Sequence, residues 1–174
     1  MKQKNYLLYL TLLLTITIGS LGIFHVYHDK NTKWVDIKYL YTNFKLKKEL
    51  ETKFELTRSA RQSMLDSLEL NVRNLYIVLS KTDKRSIADY EKERTQFLLK
   101  KQHFSEDNEM QKKDYEEQII QQLNQYVKDY ALKNKIDFIY GADGSGVLMY
   151  ASDQYNITNI VMEYVNERFD GNKK

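Results

Sequence analysis

The reading of this chain turns on residues 44–79, FKLKKELETKFELTRSARQSMLDSLELNVRNLYIVL. Within it Leu46, Leu50, Phe54, Thr57, Arg61, Met64 or Leu65, Leu68, Val72, Leu75 and Leu79 step by three and four, the spacing of one face of a long helix. No Gly or Pro interrupts the run, and the chain has no Pro at all. Ser80 to Ser86 (SKTDKRS) is the polar, turn-competent cluster that ends it. A thinner stripe then resumes through Ile87, Tyr90, Phe97, Phe104, Tyr115, Ile119, Leu123, Tyr126 and Tyr130. The pattern predicts two long helices joined at a tip, about 54 Å up and about 70 Å back at 1.5 Å per residue.

On the N-terminal side, Trp34 to Leu40 (WVDIKYL) alternates Val35, Ile37 and Tyr39 against its other residues, which reads as a strand. Before it lie a polar linker, 27–33, and the segment 1–26. Leu7 to Val26 carry no acidic, Lys or Arg side chain and follow Lys2 and Lys4, so they read as a signal peptide or a membrane anchor helix. Ser20 and Gly22 have the spacing signal peptidase takes, but the apolar run is long for a signal and no Ala-x-Ala is present. Either outcome exports the remainder.

On the C-terminal side, Ile136 to Tyr140 (IDFIY) and Val147 to Ala151 (VLMYA) flank Gly141 to Gly146 (GADGSG), which predicts a β-hairpin. Ile157, Val161, Tyr164, Val165 and Phe169 share one face of a final short helix, with Thr158 its expected N-cap and Gly171 its stop. The fold class is therefore α+β, mainly α. The arm covers 44–133, and a small β body with a C-terminal helix comes from 34–43 and 134–174.

Composition removes several classes of function. The chain has 174 residues, a net charge of +3 and no Cys, which excludes disulfides, thiolate metal sites and cysteine nucleophiles. Setting aside Lys2, Lys4, Lys30, Lys33 and Asp29, the part from Val35 onward holds 23 basic and 23 acidic residues. A neutral chain without a basic, aromatic-interleaved face gives no reason to expect nucleic acid as a partner. Charge is still partitioned, because Arg73 to Lys101 holds eight basic and four acidic residues. Arg73, Lys81, Lys84 and Arg85 make the arm tip basic, suited to acidic client segments or lipid headgroups.

Gly141, Gly144 and Gly146 lack the G-K-[ST] of a phosphate loop, and Asp143 lacks the carboxylate ladder of a calcium loop. His25, His28 and His103 read as solvated residues, and Asn156-Ile157-Thr158 as a helix start rather than a glycosylation site. No catalytic, cofactor-binding or metal-binding set emerges, and no enzymatic activity is expected.

A hairpin this long cannot hide its stripe inside a small globule, and Thr57, Arg61, Lys101 and Asn108 interrupt the seam. Oligomerisation through the short strands would cover both.

The chain resembles the Skp/OmpH family of periplasmic chaperones over about Val35 to Phe169. The matching pieces are V-D-I-K-Y-L-Y (Val35 to Tyr41) with Phe44, then Phe97 and Phe104 seven apart, then I-D-F-I-Y, V-L-M-Y-A-S and I-T-N-I-V (Ile136 to Tyr140, Val147 to Ser152, Ile157 to Val161). The resemblance implies a homotrimer with an oligomeric β-barrel body and three arms around a cavity. It also implies an ATP-independent holdase for unfolded outer-membrane proteins in the periplasm, tethered to the inner membrane if the N-terminal segment is uncleaved. The expected client-binding arm residues are Met64, Leu68, Val72, Leu75, Leu79, Phe97 and Phe104. The expected trimer body uses Val35, Ile37, Ile139, Val147 and Met149. Family members are strongly basic, whereas this exported part is neutral, so steering of acidic clients by net charge is not expected. The alternative is a membrane-anchored coiled-coil scaffold or sensor ectodomain that grips one defined envelope partner.

Overall fold

The structure, a computed structural model, describes residues 31–79 and 84–172, with Thr15 alone ahead of them. The anchor or signal segment, most of the linker and the residues 80–83 of the tip lie outside the described residues. Strand β1 (Thr32–Asp36) leads into helix α1 (Ile37–Asn43), and the arm follows as α2 (Lys45–Leu79) and α3 (Lys84–Lys133). Strand β2 (Phe138–Ala142), a single 3-10 turn (Asp153–Tyr155) and helix α4 (Thr158–Gly171) complete the chain. At 35 and 50 residues, α2 and α3 run about 52 Å and about 75 Å. The long helical hairpin is the one the stripe predicts.

The body departs from expectation at both strands. The first strand occupies Thr32–Asp36, two residues inside the expected linker, and stops where the alternating run continues. Asp36 ends it: its carboxylate accepts the Tyr39 backbone N–H at 2.8 Å and caps α1. Ile37 and Tyr39 therefore sit on a helix, because a capping carboxylate outweighs a period-two pattern only seven residues long.

The expected hairpin is absent as well. Val147 to Ala151 form no strand, and β2 pairs with β1 in parallel, Thr32 opposite Phe138 through to Asp36 opposite Ala142. Parallel neighbours need a long crossover, and here the whole arm supplies it. Gly144 and Gly146 take positive φ of 79° and 97°, which turns the chain away from β2 before the second apolar run begins. At Gly141 a Cβ would fall 1.9 Å from Ile37 Cδ1, so a side chain there would oblige that exposed isoleucine to turn aside.

The core gathers at the base of the arm. Leu40 and Phe44, Leu46 and Leu50 of α2, and Ile119, Leu123 and Tyr126 of α3 close on Val161, Val165 and Phe169 of α4. The Phe44 ring packs edge-on to Phe169 and Tyr126, at 5.8 Å and 6.1 Å between centroids.

The Asn156-Ile157-Thr158 triplet joins α4 to the sheet. Thr158 is not the cap expected of it: Asn156 Oδ1 accepts the Thr158 backbone N–H at 2.9 Å and its hydroxyl at 2.6 Å. The freed lone pair of Thr158 Oγ1 accepts the Asp36 N–H at 2.8 Å, and Ile157 N–H donates to the Trp34 carbonyl at 3.0 Å. Trp34 Nε1 donates to the Ser152 carbonyl at 3.1 Å. At the other end α3 closes with a Schellman pattern, in which Ile136 N–H reaches the Ala131 carbonyl and Lys135 takes φ 54°.

Candidate functional site

The arm changes character along its length. Near the body its two helices meet through fully buried Leu46, Leu50, Ile119 and Leu123. Beyond Leu50 on α2, and between Ile87 and Gln118 on α3, no side chain is buried. The seam continues as half-buried Phe54, Leu65, Leu68, Val72, Leu75 and Leu79 against half-buried Tyr90, Phe97, Phe104 and Tyr115. Two helices alone cannot enclose a stripe from every side, so each of these side chains keeps part of its apolar surface in contact with water.

A polar layer divides the arm near its middle. Arg61, one of the seam interruptions visible in sequence, hydrogen-bonds across the hairpin to Asn108 Oδ1 and to Gln111 Oε1 at 3.3 Å. It also meets the Asp107 carboxylate at 3.4 Å, and its guanidinium lies 5.7 Å from the centre of the Phe104 ring. His103 Nδ1 approaches the same carboxylate at 3.1 Å. Asn108 had the look of a second, separate interruption; the two are partners. Gln111 and Asp107, which sequence reasoning passed over, complete the layer. Their i−1 and i+3 spacing from Asn108 was the signal that could have found them.

The expected client-binding residues fall into two groups. Leu68, Val72, Leu75, Leu79, Phe97 and Phe104 lie half-buried on the seam, whereas Met64 stands exposed beside it and Leu65 takes the seam position. Lys101, also flagged as an interruption, is exposed, with its ammonium 6.0 Å from the Phe97 ring centre. Of the basic tip, Arg73 is exposed, Lys84 and Arg85 belong to the first turn of α3, and Lys81 lies outside the described residues.

The expected body residues also divide. Val35 is buried in its own chain's core and Ile139 packs against that core. Ile37 is exposed on α1, and Val147 and Met149 are 87% and 88% exposed on the loop after β2. Tyr150, Tyr140 and Phe138 add exposed aromatic surface to the same end of the molecule.

Three groups carry perturbed proton affinities: on the exposed face of α2 the hydrogen bond to the Glu49 carboxylate raises that of the Lys53 ammonium, and the other two are Tyr41 and Asp143. Burial at the arm's root, assisted by the Glu116 carboxylate, pushes the Tyr41 phenol up. In the loop after β2, hydrogen bonds from the Ser145 hydroxyl and backbone N–H hold the Asp143 carboxyl below its usual range. Tyr41 shares a small cleft at the arm's root with Glu51, Lys112 and Glu116, whereas Asp143 lies exposed on its loop. Among the described residues, no group of three or more His, Asp or Glu is placed to hold a metal ion, and no helix is long and apolar enough to cross a membrane.

Comparison with known proteins matches residues 33–165 to the family model described as outer membrane protein (OmpH-like). That span takes in β1 from its second residue, the entire arm, β2 and the first half of α4. No curated protein matches. Among solved structures, an OmpH-like protein from Caulobacter crescentus CB15, assigned as a candidate outer membrane chaperone, superposes with a TM-score of 0.60. The match covers 80% of this chain and 85% of that one at 12% identity, so it speaks for the fold. The hairpin that crosses between two parallel strands, together with the family match over most of its length, places this non-enzymatic chain in the OmpH-like outer membrane protein family.

Proposed function

We propose that the protein is an ATP-independent holdase for unfolded outer-membrane proteins, working in the periplasm as a homotrimer. The observation that carries this reading is the distal seam, a stripe of half-exposed Leu, Val and Phe on a hairpin far longer than its core requires. An unfolded barrel strand alternates apolar and polar side chains, and it is best held by dispersed apolar patches with water close by. Leu68, Val72, Leu75, Leu79, Phe97 and Phe104 offer such patches, with exposed Met64 as an adaptable contact beside them. Each contact is weak, and several arms acting together raise the effective affinity.

The trimer reading rests on the body. A two-stranded sheet is marginal in water, and Ile37, Val147 and Met149 expose apolar surface beside it. Shared between chains, these residues would build the oligomeric barrel, while Val35 and Ile139 support it from each chain's own core. Residues 1–26 would either be removed on export or tether the protein to the inner membrane.

The test is an aggregation assay with several unrelated unfolded barrel proteins in the absence of nucleotide. The protein is expected to keep them soluble at roughly stoichiometric amounts. If it protects none of them but captures one folded envelope protein, the scaffold reading replaces this one.

A further inference from the structure

The two helices of the arm end at different levels. Arg61 meets Asn108 and Gln111 across the seam, so Lys45, where α2 begins, lies level with about residue 125 of α3. Helix α3 runs on to Lys133, about 12 Å past that level, and its last turn is the end of the hairpin farthest from the tip. The start of the described chain is fixed to the same pole. Asn31 N–H donates to the Asp137 carboxylate at 2.7 Å, and its side-chain amide donates to the Lys135 carbonyl at 3.1 Å. In sequence only Tyr27 to Lys30 separate Asn31 from the apolar run Leu7 to Val26. Fully extended, that stretch reaches at most about 18 Å.

The pole has its own charge and its own apolar contact. Leu132 is 70% exposed, and Lys133 and Lys135 are exposed on either side of Asn134. Lys33 of β1 and Lys30 just ahead of it bring the cations to four, against Asp29 and the hydrogen-bonded Asp137. The C-terminal remainder of the body has the opposite sign: residues 138–172 carry Asp143, Asp153, Glu163, Glu167 and Asp170 against Arg168 alone. An anionic surface therefore attracts this pole and repels the rest of the body, and it does so only within a Debye length.

We infer that the tethered protein stands with its body on the membrane that anchors it, seating Leu132, Lys133 and Lys135 on anionic phospholipid headgroups and pointing the arm away from that membrane. The inference rests on the tethered form of the function proposed above, and client holding does not enter its test. A short linker ending at the pole sets the direction, and the local cations hold the body down.

The chain has no Cys, so single labels can be placed where they are wanted. Full-length protein with a donor dye at Asn134→Cys, Ser59→Cys or Ile87→Cys is reconstituted through its N-terminal segment into discs of phosphatidylcholine and phosphatidylglycerol bearing headgroup acceptors. Energy transfer should be strongest at 134, weaker at 59 and at background at 87, which lies about 70 Å along α3 from the pole. The ratio of seated to lifted bodies should fall about threefold in the Lys133→Gln, Lys135→Gln double variant, read as lower transfer at 134. Discs of phosphatidylcholine alone, which leave the protein unaltered, should lower it likewise. Transfer at 87 equal to or above that at 134 overturns the inference, because the arm then lies along the membrane or points into it. So does transfer at 134 that neither change lowers, because the linker alone then sets the orientation. The tether is read separately, by mass analysis of the protein from the membranes of expressing cells. A chain that keeps Leu7 to Val26 supports it, and a chain starting near Ile23 removes the tether and the inference with it.

Discussion

The base of the arm and its distal half are built from the same two helices, yet they solve opposite problems. At the base, α4 and α1 supply the extra faces that close the seam, and Phe44, Leu123 and Val161 are buried. Among the described residues no side chain is buried beyond Leu50 on α2 or between Ile87 and Gln118 on α3, and the same kinds of residue at the same spacing stay half in water. Burial is therefore set by how many elements converge, and not by how apolar the stripe is. The first half gives the chain its fold, and the second leaves apolar surface free for other use.

The contrast breaks most visibly under paired truncations. Leu123→Ala should cost about 2–5 kcal/mol of stability, because a cavity opens in a closed core. Leu68→Ala on the distal seam should cost about 1 kcal/mol, since water already reaches that site. Denaturant unfolding of both variants measures the difference; equal losses would mean the arm is as dry as the body.

Thr158→Val asks whether the body depends on its one buried polar joint. The substitution keeps the shape but leaves the Asp36 N–H and Asn156 Oδ1 without the hydroxyl between them. A loss of about 1–3 kcal/mol in thermal unfolding is expected. An unchanged midpoint would show that the sheet and α4 hold together by apolar packing alone.

Arg61→Met sharpens the comparison from the arm's side. Removing the guanidinium strands little, because the Asp107 carboxylate keeps its His103 neighbour and is partly solvated. The change in stability should stay within about 1 kcal/mol of zero. A loss above about 3 kcal/mol, the scale of a broken buried pair, would place the polar layer among the elements that hold the fold.

Lys135→Gly carries an effect of similar size with a definite, stabilising sign. Lys135 closes α3 in the left-handed region at φ 54°, where glycine has no Cβ to strain. A gain of about 1 kcal/mol is expected, read as a raised unfolding midpoint.

What the sequence disclosed follows the same division. The hairpin was legible because a three-and-four step sustained from Leu46 to Leu79 averages out local accidents. The apolar face of α4 was legible for that reason too: Ile157, Val161, Val165 and Phe169 are all buried, as their spacing requires. The strands were not. A seven-residue alternation cannot outvote one capping aspartate, so Asp36 converted half the expected strand to helix. The second run, Val147 to Ala151, had strand composition but pairs with no strand among the described residues. Among site residues, Arg61 and Asn108 were visible as interruptions, but their pairing depends on the register of the hairpin, which spacing alone does not set. Met64 and Leu65 were left open because both lie at the seam's edge, and the structure turns Leu65 inward.

The central claim is that the distal seam, and not the closed base, holds unfolded barrel proteins. Photo-cross-linking tests it directly, with a photoreactive amino acid placed singly at Leu68, Leu75, Phe97 and Phe104 and, for contrast, at exposed Val147 and Tyr150 of the body. With an unfolded outer-membrane protein present, adducts should concentrate at the four arm positions. Adducts confined to the two body positions, or none at any arm position while aggregation is still suppressed, would contradict the account.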